Sequence, residues 1–250
     1  MKDRYQDNHE IFLENFYENK IDFIVTIGGD GTLIKGSKKI IDMEIPVVAV
    51  NMGTLGFLTE IKKEEAFDII DSVIEKNYDI MERYFLKVRF KNKTYYVLNE
   101  VAIAKSGTLS RMIKVSINSG DTLINTYRAD GLIIATPTGS TAYSMSAGGP
   151  IVTPSLKVMI ITPISPHTLS NRPIVINGNE NLFAHISEKH DDAHIILDGQ
   201  YSFPIEKGKP LKINLSSKKI LLVKPKNRNY YSVLREKLNW GIENVKRIED

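Results

Sequence analysis

Apolar residues recur at helical spacing over residues 9–19, where Ile11, Phe12, Phe16 and Tyr17 share one stripe with Leu13 beside it. Ile21 to Ile27 breaks that spacing. Its Ile-Asp-Phe-Ile-Val-Thr-Ile is rich in β-branched and aromatic residues and reads as a buried strand. The strand stops at Gly28-Gly29-Asp30-Gly31-Thr32, after which Leu33 to Ile41 can wind as a helix. A second apolar strand, Pro46 to Val50, runs into another glycine-bearing loop, Asn51 to Phe57. Glu64 to Lys76 is amphipathic, with Ala66, Phe67, Ile70, Val73 and Ile74 on one side. Strands alternating with helices predict a doubly wound α/β domain with a parallel sheet.

The pattern changes near Arg83. From there to about Lys224 come short alternating strands: Phe85 to Phe90, Tyr95 to Val101, Ile113 to Ile117, Leu132 to Thr136 and Lys219 to Val223. Asn92-Lys93 and Asn118-Ser119-Gly120-Asp121 read as hairpin turns between them. Helical spacing resumes only at Val233 to Leu238, with Trp240 just beyond. The expected division is therefore an α/β part formed by residues 1–83 and 232–250, and an all-β part over residues 84–231.

Composition narrows the class. A chain of 250 residues with 42% hydrophobic and 25% charged residues is globular rather than disordered. A formal net charge of only +3 argues against a broad nucleic-acid footprint. Cysteine is absent, which excludes disulfides, thiolate metal sites and a cysteine nucleophile. The first twenty residues lack a basic-then-apolar leader, and no apolar run approaches the roughly 20 residues of a membrane helix. A cytoplasmic protein is the expectation.

Two segments carry candidate chemistry. Glycines after a buried strand let a backbone approach a ligand and aim N–H groups at phosphate oxygens, and a helix start adds its positive end. The loop at Gly28 to Thr32 does not fit the dinucleotide fingerprint, whose third glycine would fall on Ile34, nor a P-loop. Asp30 at its tip has three readings: acceptor of a proton from an attacking hydroxyl, holder of Mg²⁺, or cap of the next helix. The second segment begins at Arg128-Ala129-Asp130-Gly131. It continues through Thr138-Gly139-Ser140-Thr141-Ala142-Tyr143-Ser144-Met145-Ser146-Ala147-Gly148-Gly149-Pro150. It offers little apolar surface to bury, and it reads either as a wall of hydroxyl and backbone donors around a polar ligand or as a polar loop between strands.

Gly-Gly-Asp-Gly-Thr at 28–32 resembles the motif shared by NAD kinases, diacylglycerol and sphingosine kinases, and phosphofructokinases. The run from Asp130 to Pro150 resembles the second NAD kinase motif, which is more specific. Asn51-x-Gly53-x-Leu55-Gly56-Phe57-Leu58, Leu98-Asn99-Glu100, Ile164-Ser165-Pro166-His167 through Arg172-Pro173-Ile174-Val175, and Asp198-Gly199-Gln200 follow in the family's order. The resemblance spans about Ile21 to Trp240. It implies phosphorylation of the 2′-hydroxyl of NAD from ATP or polyphosphate with a divalent metal, Mg²⁺ being expected from phosphoryl transfer in general. It makes Asp30 the proton acceptor, with Gly31 beside it. Asn99, Glu100, Asp130, Thr141, Ala142, Tyr143, Ser144, Met145 and Ser146 would line the NAD site, with Arg128 and Gln200 matching contact positions more loosely. Glu100 is also a candidate metal or ribose partner, Phe57 a candidate for packing on adenine, and Lys35 and Arg111 candidates for donor phosphates. The resemblance further implies a C-terminal β-sandwich-like domain, a C-terminal segment returning to the first domain, and a homodimer or homotetramer whose sites can span chains. Family members open with a strand and helix before the glycine-loop strand. Here one helix precedes Ile21, so the first domain is expected to be a shortened version or to start upstream.

Two other enzyme or binding classes compete. A lipid kinase shares the glycine loop but not the Thr-Gly-Ser-Thr-Ala-Tyr run, and the chain shows no membrane-facing helix. A silent NAD(P)-binding regulator would have little reason to keep Asp30. His185, His190, Asp191, Asp192 and His194 match no zinc spacing, and Asp191-Asp192 reads as a turn.

Overall fold

The computed structural model describes residues 21–105, 112–168, 170–187, 193–205, 208–226 and 228–240. The helix expected over residues 9–19, Arg111, and the residues His190 to Asp192 lie outside these. In chain order the elements are β1 (Ile24–Ile27), α1 (Asp30–Ile40), β2 (Pro46–Asn51), β3 (Ile61–Lys62), α2 (Ala66–Ile74), β4 (Asp79–Phe90) and β5 (Lys93–Val97). Then follow β6 (Glu100–Lys105), β7 (Ile113–Ser119), β8 (Thr122–Ala129), β9 (Gly131–Ala135), a 3-10 turn at Thr138–Thr141, and the single turn α3 (Tyr143–Ser146). The rest comprises β10 (Val158–Ile164), β11 (Ile174–Asn177), β12 (Asn181–Ile186), β13 (Ala193–Leu197), β14 (Tyr201–Pro204), β15 (Leu211–Lys224) and α4 (Tyr230–Leu238).

The first part is doubly wound, and β2 shows why. Val47 and Ala49 pack on Leu33, Ile34 and Ile40 of α1, while Val48 and Val50 pack on Ala66, Ile70 and Val73 of α2. Alternate residues of a strand face opposite sides, so a strand apolar at every position demands a helix on each face. β1, β2 and β3 pair in parallel, as such a layer requires.

These strands continue into a nine-stranded sheet through β15. Along one edge β15 pairs antiparallel with β4. Along the other it pairs with β12 over its first half and, in parallel, with β2 over its second. A second, six-stranded sheet runs β11-β10-β9-β6-β13-β14. The two sheets enclose the largest core. Leu86, Val88, Ile117, Leu182 and Ile213 come from the first sheet and Val101, Ile103, Leu132, Ile134, Ile161 and Ile195 from the second. Each such side chain contributes about 1.5–3 kcal/mol by leaving water. The outer face of the second sheet is covered in turn, with Val152 packed on Ala102, Ile133, Ala135 and Ile160. That is why β9 is buried throughout.

Two local expectations shift. The strand expected over Tyr95 to Val101 is two strands in different sheets, β5 and β6, because the chain crosses between layers at Leu98-Asn99. The first hairpin turns at Lys91 and Asn92, both left-handed with φ of 49° and 59°, and Lys93 already belongs to β5.

Candidate active site

The glycine loop and α1 are one structure. The helix starts at Asp30 with Gly29 as its cap, so Asp30 and Gly31 form the first turn, three residues earlier than the apolar pattern predicts. Asp30 does not cap this helix. Its carboxylate reaches the loop after β2, where Oδ2 accepts from Phe57 N at 2.8 Å. Oδ1 accepts from Leu58 N at 3.2 Å, Thr59 N at 2.9 Å and the Thr59 hydroxyl at 2.8 Å. Thr59 is steadied by Asn51, whose Nδ2 donates to Oγ1 at 2.8 Å. A side chain at Gly56 would place its Cβ 1.9 Å from Asp30 Oδ1, so this close approach requires glycine. Above Gly29 and Gly31, by contrast, among the described residues no atom beyond the adjoining residues and the helix's own backbone lies within 4 Å of where a Cβ would project. The result is a fixed carboxylate beside an open stretch of backbone at a helix N-terminus.

A second carboxylate organises the opposite wall. Asp198 opens the β13–β14 turn in a left-handed conformation (φ 50°), with Gly199 after it. Its side chain accepts from Leu98 N at 3.2 Å, Asn99 N at 2.8 Å and Glu100 N at 3.4 Å. These are the backbone donors freed where the chain changes sheets. Lys38 of α1 neutralises it, with Nζ 3.1 Å from Oδ2. Gln200 lies along the same helix, accepting from Lys38 at 3.4 Å and donating to the Gly31 carbonyl at 3.5 Å. The turn thus joins α1 to the start of β6.

Glu100 stands at that start, 6% exposed, with Oε2 lacking any hydrogen-bond partner among the described residues. Burial, and secondly the charge of Asp198, pushes its carboxyl up to about 7. Asn99 is half-buried, and its carbonyl accepts from Thr136 N at 2.8 Å. Gly139 lies against it: a Cβ there would fall 2.2 Å from the Asn99 carbonyl oxygen. The hydroxyl-rich run therefore begins in contact with Asn99.

Within that run the hydroxyls divide. Ser140 and Ser144 are fully buried, and their oxygens are used internally. Ser140 bonds Pro137 O at 2.6 Å and both the carbonyl and N–H of Val152, while Ser144 pairs with Thr162 at 2.9 Å. Of the two readings of this run, a wall of donors around a ligand or a polar loop between strands, these two hydroxyls serve neither directly: they hold the cover over the second sheet. Tyr143 and Ser146 are exposed, Thr141, Ala142 and Met145 partly so.

Not every expected residue joins this cluster. Arg128 and Asp130 precede β9, whereas Asn99, Glu100 and Thr136 sit at its far end. Its five residues at about 3.3 Å each separate them by roughly 17 Å. There Asp130 pairs with Lys105 at 2.7 Å, and Arg128 is exposed. Phe57 is half-buried on the loop holding Asp30, its ring 6.0 Å from Lys237 Nζ of α4. Lys35 is exposed on α1. Asp198 enters the sequence reading only within the Asp198-Gly199-Gln200 resemblance, and Asp198-Gly199 between two short strands is also a turn signal. Nothing in the pattern announces Lys38 or Thr59.

Residues 1–78 match the ATP-NAD kinase N-terminal domain and residues 98–225 the ATP-NAD kinase C-terminal domain. The chain belongs to the NAD kinase family. The NAD kinase of Fusobacterium nucleatum is 43% identical over 223 residues, 89% of this chain and 84% of that protein. The NAD kinase of Geobacter sulfurreducens is 42% identical over 225 residues, 88% and 79%. Yeast NADH kinase complexed with NADH superposes with a TM-score of 0.82 at 27% identity, covering 90% of this chain and 67% of that one. An NAD kinase from Archaeoglobus fulgidus in complex with ATP gives 0.74 at 28% identity, covering 87% and 83%. Membership in the NAD kinase family makes the chain a phosphotransferase, in line with its glycine loop and second motif. Among the described residues no helix is long and apolar enough to cross a membrane, and no three His, Asp or Glu side chains group as a metal site.

Proposed function

We propose that this chain makes NADP by moving a phosphoryl group from ATP onto the 2′-hydroxyl of the adenosine ribose of NAD, with Asp30 as proton acceptor. The observation that carries this reading is the orientation of the Asp30 carboxylate. Three donors saturate Oδ1, while Oδ2 accepts one hydrogen bond among the described residues and keeps a lone pair for an acceptor hydroxyl. As the ribose oxygen forms its bond to phosphorus, its O–H proton passes to Oδ2 and the bond to the departing ADP oxygen breaks. A base at hydrogen-bond distance supplies about 10²–10⁴ in rate to such a weak nucleophile. Donor phosphates would meet the N–H groups at the start of α1, above the open face of Gly29 and Gly31.

Asn99 and Glu100, with Gln200 and the exposed edge of the Thr141 to Ser146 run, form the wall against which the dinucleotide would lie. A divalent cation held mainly by the donor's phosphates would find one hard oxygen ligand in the unpartnered Oε2 of Glu100, and would supply charge neutralisation at the phosphates. Arg128 and Asp130 lie too far along β9 to share this wall. We assign them to a site completed by a second copy of the chain, which makes the working unit a homo-oligomer. The cytoplasm is the expected location.

Asp30→Asn tests the central role. Purified protein is given NAD, ATP and Mg²⁺, with NADP read by a coupled NADP-specific dehydrogenase. NAD binding should stay within a few-fold while turnover falls at least about 10²-fold. Unchanged turnover removes Asp30 from the base role. Polyphosphate replaces ATP in a parallel reaction to fix the donor.

A further inference from the structure

Asp30 is held by the backbone of Phe57, Leu58 and Thr59, and that backbone rests on a buried ion pair. Glu60 follows Thr59 directly, and Arg83 projects from β4. Both side chains are 4% exposed, with Arg83 Nη2 3.7 Å from Glu60 Oε1. The contact is loose for its depth: neither Glu60 Oε1 nor Arg83 Nε makes a hydrogen bond among the described residues. The C-terminal segment fastens the same point. Arg228, just before α4, donates through Nη1 to the Glu60 carbonyl, and its Nη2 lies 3.1 Å from Glu65 Oε1. Tyr230 donates to the Val152 carbonyl at 3.3 Å, tying α4 to the cover of the second sheet.

Stability does not account for this pair. Burial pushes the Glu60 carboxyl up and the Arg83 guanidinium down, and their mutual attraction only opposes that. The other charges acting on Glu60 are Arg228, Asp30 of α1 and Lys224 at the end of β15. Desolvation at this depth outweighs the ionic attraction, and such pairs are often replaced by apolar side chains at little cost. A buried pair does impose one geometry on the chain that carries it. We propose that Glu60 and Arg83 are positioning residues for phosphoryl transfer, locking the 57–59 backbone so that Asp30 turns a free Oδ2 lone pair toward the acceptor hydroxyl. Neither touches substrate; they act through Asp30. A misplacement of about 1 Å at a reacting group can cost on the order of 10²-fold in rate, so a loose loop would be felt in catalysis before it is felt in binding.

The inference rests on Asp30 as proton acceptor, and its test separates the two. Glu60→Gln, Glu60→Asp, the double variant Glu60→Gln/Arg83→Met and Asp30→Asn are assayed together for kcat, for KM of NAD and ATP, and for thermal melting. Glu60→Gln should lose at least about ten-fold in kcat, with both KM values within about three-fold. Glu60→Asp, which keeps the charge, should recover part of that loss. The double variant buries no charge, so it keeps the fold even if the single variant does not, and it should remain slow. A folded Glu60→Gln or double variant with kcat within two-fold of the parent overturns the positioning role, even where Asp30→Asn is inactive. An active Asp30→Asn overturns the base assignment beneath it.

Discussion

Replacing Glu100 with glutamine should make the protein more stable, and increasingly so as pH rises from about 4.5 to 7. Glu100 is 6% exposed at the start of β6, one carboxyl oxygen has no partner among the described residues, and Asp198 adds a second negative charge nearby. Folding thereby raises its pKa from 4.5 to about 7. A raised carboxyl pKa means the folded state holds the proton more tightly than the unfolded one. The carboxyl is therefore tolerated at no electrostatic cost below about pH 4.5, and the cost grows from there to about pH 7, above which it stays constant. At about 1.36 kcal/mol per pH unit, it reaches roughly 3 kcal/mol on the alkaline side. Glutamine stays neutral throughout, but brings an N–H₂ group that also needs partners, so the net gain should be about 1–3 kcal/mol. In a chain of this size each kcal/mol moves the melting temperature by about 2–4 °C. The assay is urea and thermal unfolding of both proteins at pH 5 and pH 8.5, with chelator and without nucleotides. The curves should nearly coincide at pH 5 and separate at pH 8.5, the variant being the more stable and catalytically the poorer. A stability difference that does not change with pH refutes the argument, as does a variant less stable at pH 8.5.

Gly139→Ala should be among the most disruptive single-methyl additions. Its Cβ would meet the carbonyl oxygen, carbonyl carbon and Cα of Asn99 at 2.2, 2.5 and 2.8 Å, all backbone atoms that cannot rotate aside. A loss of at least about 2 kcal/mol in urea unfolding is expected, and a neutral substitution would show the contact to be looser than described. If a second copy of the chain completes the site with Asp130, as proposed, mixtures of variants test it. Asp30→Asn and Asp130→Ala should each be inactive alone, yet co-expressed they should regain up to about a quarter of parental turnover, because some paired sites then contain both intact residues. Mixed oligomers confirmed by mass with no recovered turnover would place both residues in one chain's site.

Much of this was legible because local pattern and local chemistry agreed. The continuous apolar run Pro46 to Val50 demanded cover on both faces, and it has α1 on one and α2 on the other. Gly28 to Thr32 announced a backbone approach, and Asp30 stands at its tip. What stayed hidden were choices made between distant parts of the chain. Tyr95 to Val101 alternates like one strand, and nothing local reports that Leu98 and Asn99 leave one sheet for another with Asp198 accepting their N–H groups. Ser140 and Ser144 carry the same side chain as an exposed donor would. Only packing against Val152 and Thr162 spends their hydroxyls inside. Glu60 is hidden for a further reason: a charged residue between Thr59 and Ile61 reads as a surface position, and its burial depends on Arg83, which the sequence does not place opposite it.

The central position of β15 has a consequence for how the protein is made. Pro46 and Val47 are synthesised early, but their partners on the sheet's interior side are Leu221 and Leu222. At about 5–20 residues per second, a ribosome needs on the order of ten seconds or more to reach them. During that time one edge of β2, apolar on both faces, has no strand to pair with. β4 also waits, somewhat less long, since its antiparallel register with β15 runs from Arg89 to Asp79. The nine-stranded sheet cannot be completed before β15 is made, so its assembly should wait until residue 224 has left the ribosome. A truncation before Leu211 would therefore yield an aggregating fragment rather than a working N-terminal half.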